Sequence, residues 1–177
     1  MVERETIEKV KDKQGALSQI QNFFTLGYGT KEDLRELDKK LRDLYYEDLR
    51  DLRHVWEDVY LASLDAGLTA STRDFKKVIQ VLDRVMEKVR HADYGYAGLM
   101  DRKGQIREKE LARVFNYDSA LSSDVESMKE AVNKTYSEAE AENWTNVPAE
   151  VKKIKGLLLG FENKWHDREK QFRPLEI

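Results

Sequence analysis

One stripe of large apolar side chains constrains this chain more than any other feature. Leu34, Leu37, Leu41, Tyr45, Leu49, Leu52, Val55, Trp56 and Val59 recur every three or four residues, and no proline or glycine interrupts them before Gly67. That spacing lines them along one flank of an α-helix; a strand would need alternation every second residue. About 36 residues at ~1.5 Å each make a rod on the order of 50 Å long. Such a helix is stabilised by what packs on its apolar flank, because propensity alone leaves it marginal. The rest of the chain must therefore supply complementary helices.

It has the sequence to do so. A first helix is expected from Val2 to about Leu26, with Ile7, Val10, Leu17, Ile20, Phe23 and Phe24 toward one side and a first half thin in apolar residues. Gly27-Tyr28-Gly29 stops it, Thr30 caps the long second helix, and Asp33 in the first turn suits the helix dipole. Glu36 with Lys40 and Asp38 with Arg42 read as surface pairs on that helix. Beyond Gly67, Ser71 or Thr72 caps a third helix bearing Phe75, Val78, Ile79, Leu82, Val85, Met86 and Val89. Tyr96, Leu99, Met100 and Ile106 keep its phase, so it is expected to continue to about Tyr117, weakened near residues 95 to 104 by Gly95, Gly98 and Gly104.

Ser123-Asp124-Val125-Glu126 reads as a capping box that opens a further helix with Val125, Met128, Val132, Thr135 and Ala139 on one face. Trp144 to Val147 forms a turn, and Pro148 suits a first helical turn. The last helix carries heptad spacing in Val151, Ile154, Leu158, Phe161, Trp165 and Phe172, and ends before Pro174. The expected fold is all-α: an elongated antiparallel bundle of about five helices, one domain over residues 1–177, built on a long central hairpin of the second and third helices.

Composition narrows the function classes. The chain is 40% hydrophobic and 37% charged, and the regular recurrence of branched and aromatic residues argues for a packed bundle over disorder. The net charge of -3, with both signs interspersed, argues against a nucleic-acid-binding face and against a polybasic membrane anchor. Without cysteine there are no disulfides, thiolate metal sites or thiol chemistry. No apolar run reaches the length of a membrane span, and Met1-Val2-Glu3-Arg4-Glu5 lacks signal-peptide character, so a cytoplasmic protein is expected.

Three constellations bear on chemistry. Carboxylate-bridged metal sites in bundles use inward glutamates and histidines. Glu87 with His91, Glu162 with His166, and Asp51 with His54 have suggestive spacings. At ~100° per residue, however, His54 falls roughly 160° from its stripe and His91 nearly opposite its own, which leaves Glu162 and His166 as the weak candidate pair. No cofactor is expected. A helix-turn-helix reading places a turn at Asn116-Tyr117-Asp118, but the supposed reading helix opens with Asp124 and Glu126, which phosphate would repel. Nucleophilic catalysis has no supporting motif.

The third is a polar layer inside the long hairpin. Asp48 lies about 40° from the middle of its stripe, and Asp93 about 20° from that of the third helix. Antiparallel counting, with facing numbers adding to about 138, sets Asp48 opposite Arg90 and Tyr45 opposite Asp93. Tyr45, Asp48, Arg90 and Asp93 then form either an ion pair fixing helix register or a site for a small polar ligand. Tyr28, Tyr46, Tyr60 and Trp144 fall off or at the edge of the stripes and would mark a partner surface if clustered.

Two functions follow as expectations. One is a non-catalytic bundle acting through protein–protein interaction, as scaffold, adaptor or self-associating unit. The other is a small-molecule- or metal-binding bundle with a sensory or enzymatic role.

Overall fold

The computed structural model describes residues 2–26, 31–69, 71–92 and 108–172, and all regular structure among them is helical. Among these residues five α-helices follow in order: α1 (Val2–Leu26), α2 (Lys31–Asp65), α3 (Thr72–Arg90), α4 (Glu108–Glu140) and α5 (Val147–Phe172). Among the described residues no helix is long and apolar enough to cross a membrane.

The long stripe behaves as its spacing dictates: Leu41, Tyr45, Leu49, Leu52, Trp56 and Val59 are all buried on α2. The helix ends in a Schellman motif. Leu68 N–H donates to the Ser63 carbonyl at 3.0 Å and Gly67 N–H to that of Leu64 at 3.0 Å, with Gly67 at φ 72°. Ser71 occupies the N-cap position of α3, but its side chain makes no capping bond; its carbonyl accepts from Asp74 N–H at 2.9 Å. The expected cap at Thr30 lies outside the described residues.

Two expected boundaries are wrong. The third helix does not run on to Tyr117: α3 stops at Arg90, and the weakened stretch at 95 to 104 lies outside the described residues. Nor does a turn separate Asn116 from Ser123. A single helix, α4, passes through both and leaves Asn116 and Ser123 exposed in mid-helix, so neither a capping box nor a helix-turn-helix forms there. The physical reason is packing. Val114, Leu121, Val125, Met128, Val132 and Ala139 maintain one continuous buried flank, which overrides the local preference of Ser, Asn and Asp for helix ends. Only after Glu140 does the chain turn, in a second Schellman motif with Glu142 at φ 54°. Pro148 then falls in the first turn of α5, as its geometry favours.

Helix α2 packs on α3, α3 on α5, α5 on α4 and α4 on α2, closing a ring of four; α1 packs on α2 and α4. Arg42 meeting Ala92, Arg53 meeting Asp83 and Trp56 meeting Phe75 align α2 and α3 antiparallel. Lys134 with Glu150 and Lys164 with Asp124 do the same for α4 and α5. Inside the ring, Trp56 stacks on Phe75 with ring centroids 5.5 Å apart, and Phe161 on Trp165 at 6.3 Å.

Candidate functional site

Heptad positions are normally apolar, yet among the described residues seven polar or charged side chains are buried: Lys13, Asp38, Asp48, Ser63, Asp118, Thr135 and Arg168. Ser63 and Thr135 turn their hydroxyls onto carbonyls of their own helices, Tyr60 at 2.6 Å and Ala131 at 2.8 Å. The charged five gather around Tyr45.

Tyr45 is fully buried on α2, edge-on to Phe161 and to Trp165 with centroids 6.1 Å away in each case. Its hydroxyl donates to the Asp118 carbonyl at 2.7 Å. Burial, and then the nearby Asp118 carboxylate, push the phenol well above its ordinary pKa. Tyr45 is thus a neutral donor that ties α2 to α4.

On one side of Tyr45 lies Arg168 of α5, wholly buried. Its Nε donates to Asp118 Oδ1 at 2.5 Å and its Nη2 to Asp38 Oδ1 at 2.8 Å. Asp38 Oδ2 accepts from Arg42 Nε at 3.1 Å, and Arg42 Nη1 donates to the Ala92 carbonyl. The Arg168 guanidinium lies 5.0 Å from the Trp165 ring centroid, within cation–π range. Two arginines and two aspartates from three helices balance in formal charge.

On the other side lies Asp48. Lys13 Nζ of α1 sits 2.7 Å from its Oδ2, and Lys129 Nζ of α4 sits 2.7 Å from its Oδ1. Glu126 joins both ammonium groups, at 3.0 Å from Lys13 and 3.3 Å from Lys129. Lys13 Nζ also lies 6.0 Å from the Tyr45 ring centroid, so the phenol stands between the two groups. Here too the formal charges cancel.

Removing charges from water is costly, and pairing inside the core returns little net stability. What such pairing does well is make wrong alignments expensive, because a slipped helix strands a buried charge. These groups join α1, α2, α4 and α5 over about three turns and fix which faces meet.

The sequence-derived candidates are distributed unevenly. Tyr45 and Asp48 are both in the layer. Arg90 is not: it is exposed on α3, with its guanidinium 5.8 Å from the Tyr46 ring centroid. The observed α2–α3 contacts are displaced by two to seven residues from simple counting, which moves Arg90 out of reach of Asp48. Asp93 lies outside the described residues. Asp38 with Arg42 is no surface pair; the carboxylate is buried under Arg168.

Glu162 and His166 do not converge on a metal position. Glu162 is taken by Arg84 at 2.8 and 2.7 Å and by Lys88 at 2.7 Å, which hold its pKa down at about 2, the Arg84 hydrogen bond contributing most. His166 is exposed, as are His54 and His91, and among the described residues no cluster of three or more metal-ligating side chains occurs.

Sequence reasoning missed Lys13, Asp118, Glu126, Lys129 and Arg168. For four of them a signal was present: Lys13 falls three after Val10 and four before Leu17, Asp118 four after Val114 and three before Leu121, Lys129 four after Val125 and three before Val132, and Arg168 three after Trp165 and four before Phe172. Each occupies a heptad core position that an apolar-only reading skips. No family model, curated protein or solved structure matches the chain.

Proposed function

We propose that this protein is a non-catalytic helical-bundle protein that acts by protein–protein interaction, with self-association as its most direct form. The observation that carries this reading is the closure of the charge layer. Asp48 meets an ammonium at each carboxylate oxygen, Asp118 and Asp38 share one guanidinium, and Tyr45 stays a neutral donor to backbone. Groups engaged in this way hold helices together instead of offering themselves to a substrate. The surface supplies apolar side chains for a partner: Leu61 and Leu64 are exposed on adjacent turns of α2, and Leu159 on α5.

The test uses the purified full chain in two measurements. Sedimentation over a concentration series is expected to show association, weakened in the Leu61→Asp/Leu64→Asp variant. A melting screen against small polar metabolites and divalent metals is expected to give no shift that Asp48→Asn removes. A monomer at every concentration would remove self-association. A metabolite-induced rise in melting temperature, lost in Asp48→Asn, would replace the proposal with a ligand-binding function for the layer.

A further inference from the structure

Among the described residues the exposed large apolar side chains lie on two faces: Leu61 and Leu64 near the C-terminal end of α2, and Leu159 on α5. The charges around them differ in sign. On α2, Asp58 falls three before Leu61 and Asp65 four after it, so both acids share its face within about two turns. Both are exposed, and neither makes an ion pair among the described residues.

Leu159 lies in a groove of the opposite sign. Helices α2 and α4 run parallel, since Tyr45 meets Asp118 and Asp48 meets Lys129. Each has an antiparallel neighbour in α3 or α5, so α3 and α5 run parallel as well. Arg84 and Glu162 join their facing flanks at 2.7 Å. Seven residues make nearly two whole turns, so Lys77 and Lys155 repeat those flanks about 10 Å toward the N-termini. Leu159 falls four after Lys155 and three before Glu162, and Lys152 extends the row by another turn. Glu162 is already held by Arg84 and Lys88, whereas Lys77, Lys152 and Lys155 make no ion pair among the described residues. Among the described residues α1 packs across α2 and α4, and no helix packs across α3 and α5. The groove thus sets one exposed leucine among three unneutralised ammonium groups, in a chain whose net charge is -3.

We infer that the α3–α5 groove of one copy receives the Asp58–Asp65 face of α2 from a second copy, with Leu61 and Leu64 against Leu159 and the two aspartates against Lys77, Lys152 and Lys155. The occupant is a second copy because this chain carries both halves of the match. Exposed apolar surface and unpaired charge coincide on each face, and the charges are opposite. Exposed charge pairs contribute little affinity, but they orient the contact and penalise other partners, while burial of the leucines supplies attraction. The two faces differ, so the contact is heterologous, and each member of a pair keeps one face free for a further copy. This inference rests on the interaction reading above and names the surfaces that meet.

Charge reversal on each face separates the two halves. Asp58→Lys/Asp65→Lys spoils the α2 face and leaves the groove; Lys152→Glu/Lys155→Glu spoils the groove and leaves the α2 face. In sedimentation at low salt, each variant alone is expected to stay monomeric at concentrations where the wild type associates. Mixed in equal amounts, the two are expected to associate again, because the intact groove of one meets the intact α2 face of the other. Wild-type association is expected to weaken as salt is raised, since surface charges are screened. Either variant associating as tightly as the wild type overturns the pairing of these faces while leaving self-association through another surface intact. A mixture that stays monomeric, or wild-type association indifferent to salt, does the same. A wild type that is monomeric at every concentration overturns both readings and leaves the groove to an acidic helix of another protein.

Discussion

The two helical hairpins of this protein solve the same packing problem with different chemistry. In the α2–α3 hairpin, Trp56 stacks on Phe75 and donates its indole N–H to the Phe75 carbonyl at 3.0 Å, and that end of the pair is apolar. In the α4–α5 hairpin, Trp165 is equally buried, yet its Nε1 has no hydrogen-bond partner among the described residues, and Arg168 and Asp118 lie beside it. The first hairpin can draw stability from area removed from water. The second carries a charge pair whose desolvation cost is comparable to its attraction, so it gains alignment more than stability. The contrast also runs along α2, whose Trp56 end is apolar and whose stretch from Asp38 to Asp48 joins the charged layer.

The largest predicted effect tests the charged side. Arg168→Met removes the cation that Asp118 and Asp38 share and should lower unfolding free energy by about 3–5 kcal/mol in urea denaturation. Replacing all three as Arg168→Met/Asp118→Leu/Asp38→Leu should recover most of that loss. If the triple variant stays as unstable as the single one, the pair contributes net stability and the contrast between the hairpins fails.

Next in size are the tryptophans. Trp56→Phe removes the indole donor that the Phe75 carbonyl accepts beside its helical N–H, whereas Trp165→Phe removes an N–H that is already unpartnered. Melting of the two variants should place Trp56→Phe as the more destabilising by about 0.5–1.5 kcal/mol. Equal losses would show that both indoles serve only as volume.

The turns sharpen the comparison at smaller scale. Both hairpins use the same left-handed C-terminal geometry, but α2 has Gly67 there and α4 has Glu142. Glu142→Gly should raise stability by about 0.5–1 kcal/mol, and Gly67→Ala should lower it by a similar amount. Thermal unfolding of the pair reads both signs.

The smallest effect is a pH dependence between α3 and α5. Glu162 has its pKa lowered to about 2 by Arg84 and Lys88, so the native state binds its proton less readily than the unfolded chain. Its contribution is therefore complete above the ordinary carboxylate pKa and fades as pH falls toward 2. The cations are half exposed, which keeps the contribution below about 1 kcal/mol. Glu162→Gln should flatten the stability profile over that window and leave neutral-pH stability little changed. An unchanged acid limb would show that the pair is screened out in solution.

How much of the charge layer is legible in the sequence varies by residue, for identifiable reasons. Tyr45 and Asp48 read as inward because they sit near the middle of a stripe too regular to mistake. Arg168 and Asp118 sit in equally regular stripes, but a reading that equates charge with surface passes over them. Lys13 falls three after Val10 and four before Leu17 and is passed over for the same reason. The expected break before Ser123 fails because local capping preference is worth about 1 kcal/mol, less than the continuous flank from Val114 to Ala139.

By itself the sequence determined the helical class, the buried flanks of α2 and α3, and the outward direction of His54 and His91. Those properties depend on side chains three or four residues apart, and helical geometry fixes their relation without reference to the rest of the chain. Only the tertiary structure decided that Asp48 is neutralised from α1 and α4 instead of from α3, and that Asp38 and Asp118 share a cation more than 40 residues away from either. A buried charge takes its partner from whichever helix register brings within about 3 Å, and a shift of half a turn changes that choice.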